Sequence, residues 1–235
     1  MAYQNNNTAL LLFSRSSGEE SHAKNFLPYQ NHSQNKKIAQ KIIAHSITLA
    51  NRSGLPYFVW DESLQQGNNF GERISQAVED VFKKGFEKII IIGNDCITLN
   101  TNQINDAVTA LQIHESVIAP TNKGGVYLIG ISKNIFDKKS FIAVHWQTSS
   151  VTKDLQQLYA SLSVFQMPVM DDINDFNDLK KQIFQLSPIH SIGIFLQSII
   201  ASIRKYIFLS EYFTSVLDIR YLFRIKAPPA FYFSL

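Results

Sequence analysis

The chain is almost without cysteine. Cys96 is its single thiol, which excludes an internal disulfide and agrees with a reducing compartment. No apolar run reaches the roughly 18 to 20 residues that a membrane-spanning helix needs. Met1 to Asn7 holds no basic side chain, and Ala9 to Phe13 is too short for a signal-peptide core, so a cytoplasmic protein is expected. Net charge is also scarce. The formal value is +3, too little to argue for a nucleic-acid partner. All of that excess lies beyond Ser187, where Arg204, Lys205, Arg220, Arg224 and Lys226 face only Glu211 and Asp218. With 235 residues, 45% of them hydrophobic, there is material for one sizeable core and an appendage. No internal repeat is present.

Hydrophobic periodicity alternates between strands and helices. Thr8 to Phe13 reads as a buried first strand and Ser14 to Asn35 as a long polar loop. Lys36 to Arg52 carries a helical stripe (Ile38, Ile42, Leu49) ended by Gly54 and Pro56. Tyr57 to Trp60 is a short strand. Ile74, Ala77, Val78, Val81 and Phe82 follow helical spacing, and Gly85 stops them. Ile104 to Leu111 marks another helix, with Asn100 or Thr101 as its cap. Strands at Ser116–Ala119 and Gly125–Ile131 flank a turn. A helical stretch over Val151–Leu162 and a strand over Val164–Met170 follow, and the acidic segment Asp171–Asp175 opens a last helix through Phe176, Leu179 and Ile183. This order predicts a three-layered α/β domain with a largely parallel sheet and right-handed crossovers. The adjacent strands around Gly124-Gly125 predict one mixed or antiparallel insertion.

The most telling stretch is Lys88-Ile89-Ile90-Ile91-Ile92 and its end in Gly93-Asn94-Asp95-Cys96. Four successive β-branched residues describe a strand buried on both faces. Ligands of open α/β sheets sit outside the carboxyl ends of the strands, so Asp95 stands where ligand chemistry is done. A carboxylate there holds a divalent cation against a phosphate or caps the next helix. Cys96 beside it reads as a small buried residue rather than a nucleophile.

Five motifs fall in one order. They are Gln66-Gly67-Asn68-Asn69-Phe70-Gly71-Glu72-Arg73, Gly93 to Leu99, Ala119-Pro120-Thr121-Asn122-Lys123-Gly124-Gly125 to Gly130, Trp146-Gln147-Thr148, and Asp172-Ile173-Asn174 through Leu179. Together they resemble the glycosyltransferase-like family of radical-SAM/selenium-domain-associated transferases, which have the GT-A, or nucleotide-diphospho-sugar transferase, fold. The resemblance covers about Thr8 to Ile183. It implies a metal-dependent transferase acting on a nucleotide-activated sugar, with Mg²⁺ or Mn²⁺ as cofactor and the nucleotide-sugar as partner. Asp95 would be the main cation ligand, and Asp172 or Asn174 the weaker second one. Arg15, Gly67, Gly71, Arg73, Gly124, Gly125 and Trp146 would meet nucleotide, sugar or acceptor. No general base is identified.

Each residue also has a bland account. Arg73 would pair with Glu72 or Asp80, Gly124 and Gly125 would make an ordinary turn, and Trp146 would be a buried aromatic. His22, His32, His45 and His114 lack metal-ligand spacing, whereas the resemblance puts His145 near the acceptor side. The chain departs from the family at Lys123 (usually Asp), Ile97 (usually Pro) and Asn174 (usually Asp). The largest departure is the first loop, which lacks the family's Lys-x-Pro, Gly and Lys-Thr-Arg pattern: Arg15, Gly18 and Lys24 echo it only in kind, and Glu19 and Glu20 would repel phosphate. These departures weigh against nucleotidyl transfer from a triphosphate. They also leave open a non-catalytic relative that kept the fold.

The expected domains are a GT-A-like transferase domain at 8–186 and an amphipathic, aromatic-rich helical tail at 187–235. The tail's stripe runs Ile192, Phe195, Leu196, Ile199, Ile200, Ile203 and Ile207, and ten aromatics follow Pro188. It suits packing or a homodimer, with a membrane surface as the alternative.

Overall fold

The structure, a computed structural model, describes residues 7–27, 31–187 and 190–202. The chain divides into two compact units, Met1–Ser187 and Pro188–Leu235.

The first unit is built on a six-stranded sheet. Its elements are β1 (Thr8–Phe13), α1 (Ser17–Ala23), α2 (His32–Arg52), β2 (Tyr57–Trp60), α3 (Phe70–Lys83), β3 (Lys88–Ile92), α4 (Thr101–Ile113), β4 (Ser116–Pro120), β5 (Val126–Ser132), α5 (Lys138–Ile142), α6 (Val151–Leu158), β6 (Val164–Gln166) and α7 (Phe176–Gln185). The strand order is β2-β1-β3-β5-β4-β6. β1 pairs in parallel with both β2 and β3, and β4 pairs in parallel with β6, while β5 runs antiparallel to β3 and β4. The mostly parallel sheet and its single reversed strand are as the sequence predicts.

Side-chain alternation on the strands builds a core on each face. Leu10, Leu12, Ile90, Ile92, Val117, Ala119 and Leu128 pack with Leu49 and Ala50 of α2 and with Ile104, Ala107, Val108 and Leu111 of α4. Ala9, Leu11, Ile89, Ile91, Ile118, Ile129 and Ile131 pack with Ile74, Ala77, Val78, Val81 and Phe82 of α3, Phe141 of α5 and Leu155 of α6. β1 and the four isoleucines of β3 are buried on both sides, which is why they read as continuous apolar runs.

Helix starts follow local chemistry. The Asn69 side chain accepts from the Glu72 amide at α3, and Asn100 forms a reciprocal capping box with Gln103 at α4. Asp175 does the same with Asp178 at α7. Gly85 ends α3 in the left-handed region at φ 98°.

Three expectations are corrected. The Ser14–Asn35 segment is not all loop: Ser16 caps α1, and α2 already begins at His32. The helix expected to Leu162 ends at Leu158. The strand expected to Met170 is only Val164–Gln166, with Met170 returning as an isolated bridge to Thr121.

In the second unit residues 191–202 are helical, with Ile192 and Leu196 buried. The predicted stripe positions Ile203 and Ile207, the basic residues from Arg204 to Lys226 and the aromatics from Tyr206 to Phe233 lie outside the described residues. Among the described residues no helix is long and apolar enough to cross a membrane.

Candidate functional site

Because β1 and β3 are parallel neighbours, with Leu12 opposite Ile92, the segments that follow them emerge at one sheet edge. A cleft of about 910 Å³ lies there, lined by Ser14 and Arg15 after β1, by Gly93 to Cys96 after β3, and by Lys24, Arg73, Trp146 and Asp172. This is the size and place of a small-molecule site in an open α/β sheet.

A charged network forms its floor. Lys24, directly after α1, donates to Asp95 Oδ1. Its ammonium also lies 3.1 Å from Glu20 Oε1, and Arg15 donates to Glu20 Oε2 at 3.2 Å. The Glu20 side chain is only 2% exposed and that of Lys24 11%, so these are desolvated charges that need their partners. Burial pushes the Glu20 carboxyl up, but Lys24 and Arg15 outweigh it and hold the group below its ordinary value. Burial likewise pulls Lys24 down, while Asp95 and Glu20 together raise it, so the ammonium stays charged. Glu20, expected from the sequence to repel a ligand, is instead the counter-ion of two cations.

A second loop meets Asp95 from the α7 side. The Ile173 amide donates to the Asp95 carbonyl at 2.8 Å. Gln182 of α7, fully buried, accepts from the Ile97 amide at 3.0 Å and donates to the carbonyls of Asp95 at 3.3 Å and Asp171 at 2.8 Å. This one side chain fastens the Asp95 loop to the loop that carries Asp172. Asp171 points elsewhere, to Lys181, Asn122 and Gln185. Lys123 is engaged by both oxygens of Asp178, at 2.7 and 2.6 Å, an ion pair at the cleft rim.

Trp146 also lines the cleft. Its indole donates to the Phe141 carbonyl at 2.8 Å and its ring packs on Phe70 and Phe141, so it is both a packed aromatic and a cleft residue. Two glycines clasp this segment. A Cβ at Gly71 would come within 2.6 Å of the Ile142 carbonyl oxygen and 2.9 Å of the Trp146 ring. One at Gly124 would overlap the Ser149 carbonyl, and Gly124 sits at φ 82°. Between them Gln147 adopts φ 63°, an uncommon conformation for a non-glycine residue. His145 bonds Asp154 through Nδ1 at 2.7 Å and stands outside the cleft lining.

Of the residues singled out from sequence, Arg15, Arg73, Gly125, Trp146, Asp95, Asp172 and Asn174 line the cleft. Gly67, Gly71 and Gly124 are not part of its lining and have packing reasons: a Cβ at Gly67 would lie 2.6 Å from Glu72 Cβ. The Arg73 guanidinium donates to the Gly67 carbonyl at 2.9 Å, not to Glu72 or Asp80. Burial pushes the Cys96 thiol up, which suits a packing residue. From sequence Lys24 is only an echo of the family's first loop, Glu20 a repulsive charge, and Gln182 carries no expected role. Gln182 did leave a signal, a polar residue on the apolar stripe of Leu179 and Ile183.

The donor set fits a hard divalent cation. Asp172 Oδ1 is buried without a hydrogen-bond partner, Asp95 offers a second carboxylate, and Asn174 can add a neutral oxygen. Among the described residues no three acidic, histidine or cysteine side chains converge. Such a site would therefore be a two-carboxylate one, the kind Mg²⁺ accepts when ligand phosphates and water complete its shell.

Known proteins agree with this architecture. Residues 44–148 match the profile of a family described as an uncharacterized protein conserved in bacteria, DUF2064. No protein of curated function matches by sequence. A candidate nucleotide-diphospho-sugar transferase from Desulfovibrio desulfuricans G20 superposes with a TM-score of 0.74 at 21% identity, over 85% of this chain and 98% of that one. The Rv0371c homologue from Mycobacterium sp. strain JC1 gives 0.46 at 9% identity, covering 74% and 94%. Rv0371c of Mycobacterium tuberculosis H37Rv, in complex with manganese, gives 0.42 at 13% identity, covering 77% and 100%. At these scores the last two add nothing to the assignment. The motif resemblance thus stands: the chain carries the nucleotide-diphospho-sugar transferase fold and matches the DUF2064 family over its central segment.

Proposed function

We propose that residues 8–186 form a metal-dependent transferase acting on a nucleotide-activated sugar, with Mg²⁺ or Mn²⁺ held by Asp95 and Asp172 and assisted by Asn174. The observation that carries this reading is that Asp95 and Asp172, whose buried Oδ1 lacks a partner, line one ligand-sized cleft at the strand ends. When bound, the cation supplies charge neutralisation on the departing diphosphate. Arg15 and Lys24 hold positive charge where the phosphates would lie. Trp146 offers a flat face for sugar or base, and Gln182 keeps the two aspartate loops in register. The test is a thermal-shift panel of UDP-, GDP-, CDP- and ADP-sugars with Mn²⁺. A bound donor raises the melting temperature by mass action, and Asp95→Ala abolishes the metal-dependent part. Equal binding by wild type and Asp95→Ala sinks the metal role.

One observation favours a second reading, a non-catalytic nucleotide-binding relative. Arg15, Lys24 and Lys123 all spend their charge on protein carboxylates. That reading expects nucleotide binding indifferent to chelator and no donor hydrolysis over long incubation. For the tail, residues 187–235, we favour self-association over a membrane surface. Truncation after Leu186 then lowers the melting temperature or causes aggregation, and a stable truncated domain that no longer pellets with anionic vesicles reverses the preference.

A further inference from the structure

We propose that Lys24 is a built-in competitor for the cation site: its ammonium and a divalent cation claim the same Asp95 carboxylate, so the cation enters only as Lys24 withdraws. This rests on the metal reading of Asp95 and Asp172 and adds an order of events to it.

The argument starts from the pairing. Lys24 contacts Asp95 Oδ1 and lies beside Glu20, so the ammonium stands where it satisfies the main cation ligand. Two positive charges on one carboxylate at ion-pair distance repel strongly in a partly desolvated site. Neither can hold Asp95 fully while the other is present. When the ammonium leaves Asp95 it can stay beside Glu20 Oε1, a buried oxygen with no other partner, while Arg15 keeps its 3.2 Å bond to Oε2. The site also has places for a newcomer. Asp172 Oδ1 has no partner, and Asn94, 5% exposed and lining the same cleft, has an unpartnered Nδ2. An anionic ligand that draws the ammonium off Asp95 opens the carboxylate to the cation, and by linkage the cation releases the ammonium to the anion. Cation alone therefore binds weakly, held off by the protein's own lysine.

The experiment uses the full chain and Mn²⁺ alone, with free Mn²⁺ counted by electron paramagnetic resonance. Lys24→Met and Lys24→Gln should each bind Mn²⁺ at least about tenfold more tightly than wild type, since the competing charge is gone. Adding Asp95→Asn should cancel that gain. A readout on the unaltered protein accompanies it. Acylation of Lys24 by an amine-directed reagent, followed by mass spectrometry, should rise as Mn²⁺ is added. If wild type binds Mn²⁺ while the Lys24 variants bind no tighter and Lys24 labelling stays flat, the competition is refuted and the metal reading survives. If neither wild type nor the variants bind Mn²⁺, both fall together.

Discussion

Replacing Gln182 by leucine tests whether one amide holds the two halves of the site together. The side chain is fully buried and makes three hydrogen bonds to main-chain groups. Leucine preserves the volume but cannot pair with any of them. The Asp95 carbonyl retains the Ile173 amide at 2.8 Å, which leaves the Ile97 amide and the Asp171 carbonyl to lose a buried partner. At about 1–3 kcal/mol for each stranded group, and with a small gain from the apolar side chain, Gln182→Leu should cost about 2–4 kcal/mol. The assay is urea unfolding, read as a fall in midpoint at unchanged slope. Gln182→Glu sharpens the test. It keeps an acceptor for Ile97 but, when ionised, sets a carboxylate against the two carbonyl oxygens, so its folded pKa rises above its unfolded one. The variant should lie near wild type below about pH 4 and lose stability as pH climbs above that value. A leucine variant within about 1 kcal/mol of wild type, or a glutamate variant with a flat pH profile, would refute the clamp.

Other expectations follow from the same geometry. Gly124→Ala must hold a Cβ both at φ 82° and against the Ser149 carbonyl, and should cost about 2–4 kcal/mol. Gly54→Ala, at φ 72° with open space around it, should cost only about 1 kcal/mol, so near-equal melting temperatures for the two would discount the close approach. Bonds from Lys181, then Asn122 and Gln185, hold the Asp171 carboxyl down at about 2. Its contribution is present above pH 3.8 and is lost as pH falls through 2. Asp171→Asn should therefore lower stability by about 1 kcal/mol at neutral pH, allowing for solvent screening, and the gap to wild type should close in acid titration. Asn35 accepts from the Phe26 amide and donates to the Ser21 and Lys24 carbonyls. Asn35→Ala should speed hydrogen exchange in α1 and cost about 2–3 kcal/mol, and unchanged exchange there would remove it as the anchor of that helix.

Sequence legibility divides along a physical line. β3 and its terminal Asp95 were readable because a strand buried on both faces must be apolar throughout and has to stop somewhere. α3 and α4 were readable because their stripes and their caps are local. α1 was not, since its only buried residues are Glu20 and Ser21, and a helix fixed by ion pairs has no apolar period. Lys24 and Asp95 are 71 positions apart, and Lys123 and Asp178 are 55 apart. No local pattern announces such a pairing, so the sequence marks Lys123 only as a departure from the family and not as the partner of Asp178. Gln182 falls between these cases: it is polar where the stripe of Leu179 and Ile183 calls for an apolar residue, which marks a buried side chain with main-chain work to do, though not which carbonyls it serves.

The floor of the cleft sets two cations, Arg15 and Lys24, against two carboxylates, Glu20 and Asp95. Within this group the charges cancel over a few ångströms, so it projects little field into solution. An incoming anion gains nothing from it until it is close enough to exchange partners. Capture at this floor should therefore proceed at the unsteered rate of an ordinary encounter, on the order of 10⁵–10⁶ M⁻¹s⁻¹, with little response to ionic strength. Selectivity would then be exercised after arrival, in how long a ligand stays once it has traded places with the protein's own carboxylates.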